Sequence, residues 1–455
     1  MFRKKIEELR SLFSASGGTS EIANLPTQLG NIGHLLTGNF LGAGVAIIAM
    51  AFAARAIGPA EFGVLALAMA LVQAIERILS FQTWQPLIRY GSGLLEDERQ
   101  GDFKKLIKTT FILDVCTAVS GWLIAITIII AGRDFFNWSD RSAQSALIYA
   151  CVLLTNINGT PIGVLRLAGR FREVAYLQLI SMSVRLVFSI IGFILGWGLI
   201  PFTIIWAGTA MLNALLLLGL GINMLRKDAL LDFYKASLKG ISDTFEGFWK
   251  FTIGANLYLI ARSAPQQLDT LLVGALTSAE SAGFYHIAKR FGKLAEQAGQ
   301  QVQTVIYPDI AKLWSRGLLD QVKKVFLRTE IAMIALCTIG VGLTILIAPL
   351  GVRLLVGEAY ASANMLVILQ ICAVSLLLIG TTARSGLLAA GRTNTLLGLS
   401  STSTILFFAT AVFLVPNIGP MGANIAHIIH QGFFLISVTF LFYGTIRKME
   451  RSPEG

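Results

Sequence analysis

Twelve stretches of this chain are apolar enough, and long enough, to cross a bilayer, and no water-facing fold accommodates them. A span needs about 20 residues. The stretches are 33–55, 62–91, 109–132, 144–168, 176–197, 201–225, 250–275, 282–309, 329–350, 363–390, 394–416 and 420–445. Of the 455 residues, only 14% are charged and 55% are hydrophobic. So few charges cannot coat the soluble domains that the length would otherwise permit. The same balance excludes disorder. The four cysteines, Cys116, Cys151, Cys337 and Cys372, sit singly in apolar runs. That is the pattern of small buried hydrophobes, not of a disulfide frame or metal site. The fold class expected is an all-α polytopic membrane protein.

The basic residues orient it, because cytoplasmic loops retain Lys and Arg. With the N-terminus inside, the cytoplasmic segments hold 23 Lys/Arg and 15 Asp/Glu, the opposite side (with Arg55) 4 and 5, and the spans 10 and 6. Both termini are therefore expected in the cytoplasm. Most of the net charge of +11 is an orientation signal, so nucleic acid is not an expected partner. The segment MFRKKIEELRSLFSAS lacks the apolar core of a cleavable signal. Its Ile6, Leu9, Leu12 and Phe13 recur at helical spacing opposite Arg3, Lys4, Lys5 and Arg10, as in a helix lying on a membrane surface. The longest outer loop, 132–144, has about 13 residues and the longest inner one, 226–248, about 23. Neither houses a catalytic domain, and no GxxxxGK[ST] phosphate loop is present. The chain is expected to be no enzyme and to need no cofactor. A glycan polymerase or ligase, which would call for a sizeable outer loop, is disfavoured.

The halves echo one another. IGPAEFGVLALAMALVQAIER (Ile57–Arg77) aligns with LTSAESAGFYHIAKRFGKLAEQ (Leu276–Gln297), placing Gly63 on Gly283 and Glu76 on Glu296 at an offset of 220. GTPIGVLRLAGR (Gly159–Arg170) echoes GTTARSGLLAAGR (Gly380–Arg392) at 221 to 222. Six spans plus six implies parallel repeats around a central cavity, an alternating-access architecture. The expected domains are an N-terminal interfacial segment 1–28, an N-lobe 29–225, a cytoplasmic linker 226–249, a C-lobe 250–446 and a tail 447–455.

Ionisable groups at membrane depth cost about 2.5–3.5 kcal/mol each on insertion scales, so they mark a cavity or a partner. Tyr258, Arg262, Gln266 and Asp269 share one face of the seventh span. His286, Arg290, Lys293, Gln297 and Gln300 form a stripe on the eighth, beside Lys289 and Glu296. Gln73, Glu76, Arg77 and Ser80 do the same on the second, with Arg89 further along; Arg185 and Asp114 stand alone in the fifth and third. Pairing explains Glu76 and Glu296 about as well as function does, the latter with Lys293 one turn away, and snorkelling serves equally for Lys289 and Arg166. Ten bases against six acids leave +4 within the spans. That balance favours an anionic substrate, and the planar fork of Arg suits phosphate. The candidate substrate-binding residues are Arg77, Arg262, Arg290 and Lys293, with Arg89 and Arg185 behind them. Asp269, Glu76 and Glu296 are the candidates for ion coupling. His427 and His430 lie at i, i+3 with no third ligand, so no metal site is expected.

Arg55-Ala-Ile-Gly-Pro-Ala-Glu-Phe-Gly63, its echo at Gly283-Phe-Tyr-His-Ile-Ala-Lys-Arg290, Tyr307-Pro-Asp-Ile-Ala-Lys312 and the Ala-Gly-Arg endings at Arg170 and Arg392 resemble the Wzx-type polysaccharide and O-antigen flippases. These belong to the multidrug/oligosaccharidyl-lipid/polysaccharide superfamily. The resemblance implies a MATE-like fold of 12 helices in two six-helix lobes, in the bacterial inner membrane. It implies a substrate, a polyprenyl-pyrophosphate-linked oligosaccharide flipped outward for O-antigen, exopolysaccharide or capsule. It also implies glycan polymerase and chain-length proteins as partners. The peptidoglycan-precursor flippases usually have 14 spans, against 12 here. The rivals are a multidrug/cation antiporter of the same superfamily, which the positive span balance opposes, and a scaffold in a glycan assembly complex, which leaves the buried bases without a reason.

Overall fold

A computed structural model of the chain describes residues 25–133 and 138–451, with side chains from 42 onward except at 171, 258, 262, 298, 300–309 and 450–451. The expected interfacial segment 1–28 lies almost wholly outside the described residues, as does 452–455 of the tail. Among the described residues the regular structure is entirely helical. The elements are α1 (Leu25–Leu79), α2 (Trp84–Glu96), α3 (Gln100–Ala131), α4 (Asp140–Ala150), α5 (Gly159–Leu167), α6 (Phe171–Ile194) and α7 (Leu199–Lys227). After a linker come α8 (Phe248–Leu276), α9 (Ala279–Ser315), α10 (Leu319–Val356), α11 (Ala363–Ile379), α12 (Thr381–Ala389), α13 (Thr393–Ile418) and α14 (Pro420–Arg451).

Nine segments of the described residues meet the length and hydropathy needed to cross a membrane. The first of them, Gly42–Glu96, holds two of the expected spans, because α1 kinks at Gly58 (φ 74°) ahead of Pro59. Only glycine adopts that φ at little cost, and the following proline restarts a helix in its first turn. The outward faces of the helices are apolar: Leu346 and Phe440 are each 77% exposed, a surface suited to lipid tails rather than water.

Two compact units emerge. The first contains residues 1–56 and 71–259, the second 57–70 and 260–455. The segment 57–70, expected in the N-lobe, thus packs with the second unit. Its Gly63 lies against α9 so tightly that a Cβ there would fall 1.7 Å from the Ala279 carbonyl oxygen. A Cβ on Gly283 would fall 2.9 Å from the Pro59 carbonyl oxygen. The two glycines equated by the repeat are therefore the pair at which these helices cross.

The cores repeat as well. In the first unit Leu165, Leu217 and Leu225 join one buried cluster. In the second, Leu387, Val438 and Ile446 occupy the corresponding cluster at offsets of 222, 221 and 221. The linker is tied to the first unit by lysines at the start of α3. Lys104 pairs with Asp232 at 2.6 Å, Lys105 donates to the Gly240 carbonyl at 3.0 Å, and Lys108 to the Ala236 carbonyl at 2.7 Å. The Lys104 hydrogen bond holds the Asp232 carboxyl below its ordinary range. Replacing Lys104 and Lys108 together with alanine should free the linker without unfolding the spans. Chymotryptic cleavage at Phe233–Tyr234 is expected to accelerate several-fold while the melting temperature holds.

A cavity at two helix breaks and a buried ion network

Two of the expected spans are interrupted in the structure, and both breaks meet at one carboxylate. The second span stops at Leu79 and resumes as α2 at Trp84, with Gln82 in the left-handed region (φ 47°). The fourth stops at Ala150, passes through a 3-10 turn at Cys151–Thr155 and resumes as α5 at Gly159. Pro161 explains the second restart: it has no N–H to donate backward, and it disfavours a helical Thr160 as a continuation of α4. Asp114, near the middle of α3 and 7% exposed, serves both broken ends. Its Oδ1 accepts the Thr83 hydroxyl at 2.5 Å, and its Oδ2 accepts the Thr160 backbone N–H at 2.7 Å. The carboxylate thus takes one free N–H of the first turn and faces the positive end of α5. Gly159 permits the approach, since a Cβ there would sit 1.8 Å from Thr83 Oγ1. The first break satisfies itself: Gln82 Nε2 donates to Ser80 Oγ at 3.0 Å, and Trp84 Nε1 to Gln82 Oε1 at 3.0 Å.

Between the breaks lies a cavity of about 190 Å³ whose polar wall is Glu76, Ser80, Gln82, Asp114, Thr117, Asn156 and Asn158. No Lys or Arg is among its lining residues. Glu76 is within hydrogen-bonding reach of Asn156, whose Oδ1 accepts the Asn158 amide. The second unit differs. There Glu330 of α10 lies within reach of Thr382 at the start of α12, as Asp114 does of Thr160. But α9 runs unbroken through the region equivalent to the first break.

The second unit holds its own buried ionic network, on α8, α9 and α14. Asp269, 1% exposed, accepts Lys289 Nζ at 2.6 Å on Oδ1, and on Oδ2 the Tyr285 hydroxyl at 2.8 Å, with His427 Nε2 at 3.0 Å. Lys289 also donates to the Gln266 carbonyl at 2.7 Å. Lys289 is therefore a paired ion, and the snorkelling explanation gives way to it. His427 is a hydrogen-bond partner of a carboxylate, and the described residues hold no cluster of three metal-ligating side chains.

The six expected substrate-binding bases distribute as follows. Arg77 is half-buried beside Glu76. Arg89 is exposed, its guanidinium 4.3 Å from the centre of the Phe251 ring and 5.5 Å from that of Tyr90. Arg185 donates to Thr209 at 2.9 Å and lies over Trp206. Arg290 donates to His286 Nε2 at 3.2 Å, and Lys293 pairs with Glu296 at 3.1 Å. The side chain of Arg262 lies outside the described residues. Asn156 and Asn158, which the sequence left unmarked, are the residues the structure adds; Pro161, shortly after them, is the feature that could have pointed to the break.

Comparison with known proteins agrees with this architecture. The profile of the family described as "Polysaccharide biosynthesis protein" matches residues 29–314. The chain is 27% identical over 342 residues to an inner membrane protein, YghQ, of Escherichia coli (strain K12), covering 73% of this chain and 95% of that one. Among solved structures it resembles an inward-facing multidrug resistance MATE family transporter (TM-score 0.73, 14% identity, 91% of this chain and 96% of that). It also resembles the lipid II flippase MurJ in an inward closed conformation (TM-score 0.65, 15% identity, 92% and 93%). The fold is that of the MATE and MurJ transporters.

Two consequences are measurable. Gly159→Ala should lower stability by roughly 1–3 kcal/mol through overpacking, read as the melting temperature in detergent, and Thr83→Ala should restore much of the loss. Asp269→Asn, which strips a buried ammonium of its counter-charge, should cost about 3 kcal/mol or more. Adding Lys289→Met should recover most of it.

Proposed function

The chain belongs to the polysaccharide biosynthesis protein family, and from that premise we propose that it flips a polyprenyl-pyrophosphate-linked oligosaccharide across the bacterial inner membrane by alternating access. The product leaflet is the outer one, where O-antigen, exopolysaccharide or capsule is assembled. The observation that carries this reading is the excess of four positive charges within the spans. A pyrophosphate needs such bases, and fork-shaped guanidinium groups bind it bidentately. Arg77, Arg262, Arg290 and Lys293 are assigned to the head group, with Arg89 and Arg185 in supporting positions. Glu76, Glu296 and Asp269 are assigned to coupling, because a carboxylate whose partners change alters its affinity for a cation. The fold shared with a lipid II flippase and the inner-membrane relative support the setting. Short loops support transport over catalysis.

The rival is a multidrug/cation antiporter, which the fold and the acid-lined cavity both recommend. Against it stands the excess of positive charge within the spans, which opposes a cationic substrate. A drug-resistance assay separates the two.

Arg262→Ala or Arg290→Ala should stop surface glycan export while the protein still inserts in the membrane. Normal export in both single variants would sink the head-group assignment. Reporter fusions at either terminus should be active only in the form that requires the cytoplasm.

A further inference from the structure

We propose that a second cavity, at the C-terminal end of α10, binds the head group of a zwitterionic phospholipid carrying a primary ammonium, with Arg353 on its phosphate and Glu358 on its ammonium. The cavity measures about 340 Å³, and its wall includes Pro349, Leu350, Arg353, Gly357 and Glu358. It lies wholly within the second unit, at the end of α10 expected on the outer side. Bases are scarce on that side, because the positive-inside rule retains Lys and Arg in the cytoplasm. Arg353 stands there three residues beyond the expected span 329–350, at the depth where head groups replace hydrocarbon.

The backbone holds the base and the acid together. Arg353 Nε meets Glu358 Oε1 at 2.6 Å. Gly357 ends α10 at φ 98° and turns the chain so that Glu358 reaches back; only glycine adopts that φ at little cost. Glu358 opens the short turn Glu358–Tyr360. Tyr360 anchors this turn, fully buried with its ring edge-on to Phe62 at 6.2 Å and Phe284 at 5.8 Å. Yet the two charged side chains are 67% and 69% exposed. An ion pair so exposed adds little stability, so opening it costs little. A ligand with a phosphate and an ammonium replaces that pair with two charge-assisted ones. An anionic lipid meets Glu358 as a like charge and gains less. A quaternary ammonium has no N–H for the carboxylate to accept, so the acid favours a primary amine.

A second observation points to a lipid rather than a soluble ligand. Leu346, Leu350 and Leu354 recur at i, i+4 and i+8 on one face of α10 and are 77%, 59% and 64% exposed. Leu350 belongs both to this row and to the cavity wall. An acyl chain lying along the row therefore brings its head group to Arg353. Leucine, base and acid follow along the chain in the order tail, phosphate and ammonium of such a lipid. The repeat supplies a control. Arg133, equivalent to Arg353 at an offset of 220, donates its Nε to the Trp138 carbonyl at 3.3 Å and pairs with Asp140. This site stands apart from the flippase reading and does not rest on it.

The test is thermal unfolding of the purified full-length protein in detergent, titrated with phosphatidylethanolamine, phosphatidylcholine or phosphatidylglycerol of identical acyl chains. Phosphatidylethanolamine should raise the melting temperature saturably, as any ligand of the folded state does, and further than the other two. Glu358→Gln should remove its advantage over phosphatidylcholine and leave the phosphatidylcholine response unchanged. Arg353→Gln should raise the half-saturating concentration of both lipids by about tenfold or more, since both carry the phosphate. Arg133→Gln should respond as the unaltered protein does. Should a variant not fold, native mass spectrometry of the unaltered protein in an equimolar mixture of the three lipids should show phosphatidylethanolamine bound in preference. The proposal is overturned by equal effects of the three lipids, by a preference for phosphatidylglycerol, by Glu358→Gln or Arg353→Gln behaving as the unaltered protein, or by Arg133→Gln losing as much as Arg353→Gln. Equal stabilisation by glycerophosphoethanolamine, the head group without tails, would overturn it too.

Discussion

The Asp114 carboxylate holds the first unit together at its weakest place. Two helices end and restart within apolar spans, where their free backbone groups need partners from the protein itself. One oxygen of Asp114 takes the Thr83 hydroxyl and the other the Thr160 N–H in the first turn of α5. Everything around it follows from the need for close approach. Gly159 has no side chain to intervene, and Gly163 admits Leu87, whose branch would lie 2.6 Å from a Cβ. The same contacts that hold the breaks in place leave the cavity beside them. A continuous pair of helices would have closed that space.

The two repeats share a scaffold and divide the chemistry. Their cores use equivalent residues, from Leu217 and Val438 to Leu225 and Ile446. Each has an acid on its third span set against a threonine at a helix start, Asp114 with Thr160 and Glu330 with Thr382. The first repeat opens its second span and exposes Glu76 to a cavity. The second keeps that helix whole and buries its charge elsewhere, at Asp269 with Lys289, Tyr285 and His427. A buried charge is tolerated only when paired and hydrogen-bonded. The second unit meets that condition with side chains from three helices, whereas the first sets Glu76 at its cavity beside Arg77 and Asn156.

Much of the architecture was legible in the residues. Hydropathy marked the membrane helices, because an apolar run of such length has no other stable environment. The glycines at 63 and 283 announced the repeat, and the structure adds why they are glycines: each lies against the backbone of the other's hairpin. The acids Glu76 and Asp269 stood out because charge within an apolar run is costly. The asparagines at 156 and 158 did not, since neutral amides in a short polar stretch look like any loop. Nor did the break after Leu79, which contains no proline or glycine and rests on Gln82 adopting a left-handed backbone.

What could be read from the chain alone was therefore whatever depends on the solvent: an all-helical membrane fold, the internal repeat and the cost of each buried charge. Partnership could not, because it depends on residues distant in sequence. Lys289 looked free to snorkel until α8 brought Asp269 to 2.6 Å. Asp114 looked solitary until two helix ends 77 positions apart, at Thr83 and Thr160, met its two oxygens. Transfer from water to lipid is a property of each side chain and is written into the sequence one residue at a time. A hydrogen bond needs its donor and acceptor within about 3 Å, and only the folded chain brings them there.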